Sequence, residues 1–94
     1  MANDPQVRVK RQALERFCQQ VFQTLGVAED DARVASAVLV AANARGIPSH
    51  GVARLQRYIN GLETGLMQPE AAVETLMDTP TSIVVDAHGA LGQP

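Results

Sequence analysis

Ser49, His50 and Arg54 stand close together in the run Gly46-Ile47-Pro48-Ser49-His50-Gly51-Val52-Ala53-Arg54-Leu55-Gln56-Arg57-Tyr58. An imidazole exchanges protons near neutral pH, and a hydroxyl beside it can fix its orientation or relay the proton. A guanidinium grips a carboxylate through a planar, two-pronged hydrogen bond. An imidazole beside an Arg is the pairing that a 2-oxo or 2-hydroxy acid requires. Arg54 would anchor the acid while His50 exchanges a proton with the neighbouring oxygen.

The spacing predicts a helix from Ser49 to about Gly61 or Gly65, with the Ser49 hydroxyl as its N-cap. With Val52 set at zero, Leu55, Ile59 and Leu62 fall at about 300°, 340° and 280°, an apolar stripe. His50, Arg54 and Arg57 fall at about 160°, 200° and 140°, on the opposite side. In a first helical turn His50 would feel the positive end of the helix dipole, which disfavours the imidazolium. The same polar grouping also describes any solvated helix face. Arg57 reads as a solvated charge, Tyr58 as an aromatic at the core's edge with its hydroxyl satisfied, and His88 as a surface residue in a Gly-flanked turn.

Two helices must hold this segment. From Val9 to Leu25 the apolar positions Leu14, Phe17, Cys18, Val21, Phe22 and Leu25 recur every three or four residues, and Gly26 supplies a left-handed C-cap. The second begins at Glu29, Asp30 and Asp31, where carboxylates suit the helix dipole. Ala32, Val34, Ala35, Val38, Leu39, Val40 and Ala42 give it apolar residues on several sides, and Gly46 and Pro48 end it. After Pro69 the texture turns strand-like, over Ala72 to Met77 and Ser82 to Val85, with Asp78, Thr79 and Pro80 as the turn. The expected fold is α+β, three N-terminal helices and then a β-hairpin. Residues 1–67 form the helical segment carrying the Ser-His-Gly motif, and residues 68–94 start a sheet region that needs a further layer. Residues 1–8 read as a loose polar lead-in.

Composition bounds the function. The chain has 94 residues, enough for one small domain at most. Its single Cys, Cys18, rules out an intramolecular disulfide scaffold, and the longest apolar run, Ala37 to Ala42, is far short of the ~20 residues of a membrane span. The polar N-terminus lacks the apolar stretch of a signal peptide, so the expectation is a cytoplasmic chain with no membrane partner. Residues 1–57 hold all 8 basic residues and 5 acids, a balance of +3, and residues 58–94 hold 5 acids and no base. That is not the clustered basic stripe of a nucleic-acid binder. Two His and one Cys, widely separated, make no zinc site, and no Gly-x-Gly-x-x-Gly occurs.

The run Arg45-Gly46-Ile47-Pro48-Ser49-His50-Gly51-Val52-Ala53-Arg54-Leu55, followed by Tyr58 and Gly61-Leu62-Glu63-Thr64-Gly65, resembles the malate/L-lactate dehydrogenase family with the non-Rossmann cofactor fold. Ile83-Val84-Val85-Asp86 and Leu91-Gly92-Gln93 are similar to that family's next strand and its following Gly-Gln step. The family also includes ureidoglycolate, sulfolactate and diketogulonate enzymes and Δ1-piperideine-2-carboxylate reductases. The resemblance implies the front part of a larger α/β fold, an NAD- or NADP-dependent oxidoreductase acting on 2-hydroxy or 2-oxo acids, and a homodimer. It implies that His50 is the proton donor and acceptor, that Ser49 assists it and that Arg54 binds the substrate carboxylate. Family members are several times longer, so the cofactor site is expected outside this chain, which alone should be inactive. The rival expectation is a non-catalytic three-helix interaction module or a truncated remnant.

Overall fold

The computed structural model describes residues 8–70 and 72–93, so all of the polar lead-in but Arg8 lies outside the described residues. The elements are α1 (Arg11–Thr24), α2 (Glu29–Ala44), two short 3-10 turns (Pro48–His50 and Val52–Arg54), α3 (Leu55–Thr64), β1 (Glu74–Asp78) and β2 (Ile83–Asp86). Three helices followed by an antiparallel hairpin make the α+β fold expected from the sequence.

α1 starts at Arg11 and not at Val9, because Lys10 is extended at φ −62 and ψ 133. Its core-facing residues are Cys18 and Phe22, both buried, with Leu14 and Val21 packed beside them. Phe17, counted with that stripe in the sequence, points away and is 56% exposed. α2 carries Glu29, Asp30 and Asp31 in its first turn, as the dipole favours. Ala32, Ala35 and Leu39 join Cys18, Phe22, Val27 and Leu55 in one buried cluster, the small side chains of Ala32 and Ala35 letting α1 and α2 approach closely. Burial of Phe22 or Leu39 contributes about 1.5–3 kcal/mol each. The expectation that α2 is covered on several sides holds only in part. It packs on α1 and on both 3-10 turns, while Val38 remains 45% exposed. Gly26 (φ +94) and Gly46 (φ +77) take the left-handed conformation expected where α1 and α2 end.

Burial pushes the Cys18 thiol up from its ordinary value of 9.0. The folded state therefore holds this proton more tightly than the unfolded chain. Its share of stability is constant below pH 9.0 and is lost as the pH rises beyond it. A thiol-specific disulfide reagent at pH 8 should label Cys18 slowly in the folded chain and rapidly in denaturant. Rapid labelling of the folded chain would contradict the α1–α2 packing.

The third helix departs from expectation. Residues 48–54 form two 3-10 turns separated by Gly51, whose φ −101 and ψ −150 are extended, and α3 begins only at Leu55. Ser49 makes no capping hydrogen bond, and His50 closes a three-residue turn, so no helix dipole acts on it there. The apolar stripe survives the change. Leu55 is buried, and Val52, Ile59 and Leu62 pack against the core. Gly61 lies inside α3, and Gly65 (φ +81) ends it.

Both strands are displaced from the expected ranges, and Asp78 belongs to β1 and not to the turn. The connection is closed by Thr79 N–H donating to Ser82 O at 2.8 Å. Glu74 pairs with Asp86, Thr75 with Val85, Met77 with Val84 and Asp78 with Ile83, with a bulge between Thr75 and Met77. All residues of β1 are exposed, as are Ile83, Val84 and Val85 of β2. The hairpin thus has an open layer on each face.

Candidate active site

The end of α2 and the return of the chain build the segment around Ser49 and His50. Gly46 N–H donates to Asn43 O at 3.0 Å, and Ile47 N–H donates to Ala42 O at 2.9 Å, turning the chain back along the helix. Pro48 then opens the first 3-10 turn, in which His50 N–H donates to Ile47 O and Gly51 N–H to Pro48 O, both at 3.1 Å. Ser49 and His50 are exposed at its tip.

Three of the side chains singled out in the sequence meet here. Ser49 Oγ lies 2.9 Å from His50 Nδ1. The Arg54 Nε–H donates to the carbonyl of Ser49, so the guanidinium is clamped to the same turn. Among the described residues, His50 Nε2 has no hydrogen-bond partner and Arg54 has no carboxylate at ion-pair distance. The cluster can therefore offer a ligand an imidazole nitrogen and the outer edge of a guanidinium. As an imidazolium, with Nδ1–H donating to Ser49 Oγ, His50 carries on Nε2 a proton to give. Once that proton has left, Nδ1–H still donates to Ser49 and Nε2 is a base.

Arg57 is exposed and forms no bond to this cluster, which leaves it a solvated charge. Tyr58 is half-buried, its ring centroid 6.1 Å from that of Phe22, and Gln93 Nε2 donates to its hydroxyl at 2.8 Å. That is the satisfied core-edge role expected of it. His88 is exposed, with a left-handed φ of 52. Its Nε2 lies 2.8 Å from Glu74 Oε2 and its Nδ1 3.5 Å from Asp86 Oδ2. When protonated it offsets the repulsion between these cross-strand carboxylates.

Sequence reasoning missed Asn43. Its Oδ1 accepts the Val52 N–H at 2.6 Å. Gly51, buried, packs so closely on it that a Cβ would overlap Asn43 Oδ1 and Cγ. The available signal was a glycine directly after the histidine, where a helix interior would disfavour it.

Among the described residues, no group of three or more His, Cys, Asp or Glu could hold a metal ion, and no helix is long and apolar enough to cross a membrane. The first turn of α2, whose backbone N–H groups could meet phosphate, carries three carboxylates that would repel it.

Known proteins share this sequence pattern and this fold. The family profile described as malate/L-lactate dehydrogenase matches residues 9–94. The malate dehydrogenase of Pyrococcus horikoshii is 36% identical over 87 residues, which are 93% of this chain and 24% of that one. Its solved structure superimposes with a TM-score of 0.88 over 93% of this chain and 25% of its own. The L-sulfolactate dehydrogenase of Methanocaldococcus jannaschii is 34% identical over 78% of this chain and 21% of its own. The solved sulfolactate dehydrogenase of that organism gives a TM-score of 0.85 at 31% identity, covering 89% of this chain and 24% of that one. The chain thus spans about a quarter of the length of the relatives it matches. With the helices, the hairpin and the Ser-His-Gly turn all inside the matched span, the chain belongs to the malate/L-lactate dehydrogenase family.

Proposed function

We propose that these residues are the N-terminal part of an oxidoreductase that interconverts a 2-hydroxy acid and its 2-oxo acid with NAD or NADP. The observation that carries this reading is the pairing of Ser49 with His50 on one turn and the bond by which Arg54, on the next turn, clamps back onto it. Reduction of a 2-oxo acid adds a hydride at C2 and a proton at its oxygen. His50 supplies that proton from Nε2, Ser49 holds the imidazole by Nδ1, and Arg54 binds the carboxylate through its outer edge. In oxidation His50 takes the proton back. NAD or NADP is the hydride carrier of this proposal, and its site lies outside the described residues. The substrate class is supported by the relatives, a malate dehydrogenase and an L-sulfolactate dehydrogenase. The family resemblance supports a homodimer, the single Cys18 a reducing, cytoplasmic location, and the strand-like texture after Pro69 the division into residues 1–67, the helical segment, and 68–94, the start of a sheet region.

The test is oxidation of NADH or NADPH in the presence of 2-oxo acids. The complete enzyme should consume cofactor with at least one of them, and the 94-residue chain alone should show no sustained turnover. Turnover by the chain alone would refute its dependence on residues outside it. Exposure of Phe17, Val38 and Val84 favours, as a second reading, a module that works by binding another protein surface.

A further inference from the structure

We infer that Asn43 is a positioning residue for the Ser49–His50 pair, holding the turn that carries them against the last turn of α2. The inference rests on the proposed role of His50 and adds to it a group that touches neither substrate nor cofactor.

The geometry points to a latch with two ends. At the entry to the turn, Ile47 N–H donates to Ala42 O at 2.9 Å, and Gly46 N–H donates to Asn43 O at 3.0 Å. At the exit, the Asn43 side chain reaches across and takes the Val52 N–H on Oδ1 at 2.6 Å. Neighbouring residues of α2 therefore hold both ends of the segment, and Asn43 takes part at each. Between these ties the backbone bonds of the turn are the weak, local ones of a 3-10 helix, from His50 N–H to Ile47 O and from Gly51 N–H to Pro48 O. Without the exit tie nothing in the turn fixes the direction of the His50 backbone relative to α2. Arg54 N–H donates to Gly51 O at 3.0 Å and its side chain to Ser49 O, so it follows the turn wherever it goes.

Gly51 completes the latch. It is buried against Asn43, and any Cβ there would meet Oδ1 and Cγ. The contact needs an acceptor oxygen at residue 43 and no side chain at residue 51. An aspartate supplies that oxygen in the same place, whereas a leucine supplies similar bulk without it.

The first measurement uses the chain itself, by 15N spectroscopy of its two histidine rings. In the parent chain His50 should show Nδ1 engaged by Ser49. N43L should move its ring signals toward those of free histidine and leave His88, held by Glu74 and Asp86, unchanged as the internal control. N43D should retain the parent signals. If N43L does not fold, G51A disturbs the same contact from the other side and should give the same shift. Parent-like His50 signals in a folded N43L or G51A chain would overturn the inference. In the complete enzyme N43L should lower kcat about 10–100-fold, because a misplaced catalytic group loses its near-attack geometry, and N43D should restore most of it. Loss of activity in H50A with full activity in N43L would refute this inference alone. Full activity in H50A would instead refute the role of His50.

Discussion

Replacing His50 by Ala in the complete enzyme is expected to lower kcat about 10²–10⁴-fold, the usual contribution of a positioned acid or base. The reason is local. Among the described residues the cluster offers one titratable nitrogen without a partner, Nε2 of His50, and Ser49 occupies the other. Ser49 cannot replace it, because a hydroxyl without a base beside it is a poor proton carrier at neutral pH. Affinity for the nicotinamide cofactor should change little, since the proposed function places its site outside the described residues. Steady-state kinetics with saturating cofactor, together with cofactor binding followed by fluorescence, check both halves. An H50A enzyme with parental kcat would remove the proton-transfer role from this residue.

Arg54→Lys is expected to raise KM for the 2-oxo acid about 10–100-fold, the effect of losing one charge-assisted hydrogen bond of about 1.5–3 kcal/mol. Lys keeps the charge, so attraction at long range persists. It lacks the planar fork that meets a carboxylate with two parallel bonds. A second loss follows from the structure. Arg54 Nε is committed to the Ser49 carbonyl, and a lysine has no nitrogen at that place in its side chain. The turn should therefore loosen, and kcat should fall along with the rise in KM. An effect confined to KM would mean that the Nε clamp contributes nothing to the placement of His50. Unchanged kinetics with R54K would remove Arg54 from substrate binding.

The helical frame of this site was legible in the sequence. The spacing of Leu14, Cys18, Val21 and Phe22 defines α1, and Glu29 to Asp31 mark the first turn of α2. Both signals are local, since a helix repeats its faces every 3.6 residues and its dipole acts within one turn. The stripe of Val52, Leu55, Ile59 and Leu62 was legible too, although the helix beneath it starts later than its spacing suggests. Phe17 shows the limit of periodicity. It lies at the margin of the α1 stripe, and only the direction from which α2 approaches decides that Cys18 is buried in its place.

The sequence by itself determined the residue types at the site, the glycines that end α1 and α2, the order of the elements and the resemblance carried by Ser49-His50-Gly51. These are properties of neighbouring residues, and short-range sterics and hydrogen bonding are enough to specify them. Only the tertiary structure decided that Gly51 breaks the chain into two 3-10 turns, that Ser49 serves His50 and not a helix end, and that Arg54 reaches back to the Ser49 carbonyl. The bond from Val52 to Asn43 joins residues in different elements. It forms because packing of Leu55 against α1 and α2 brings the returning chain close to the end of α2, a condition that no local pattern of residue types encodes.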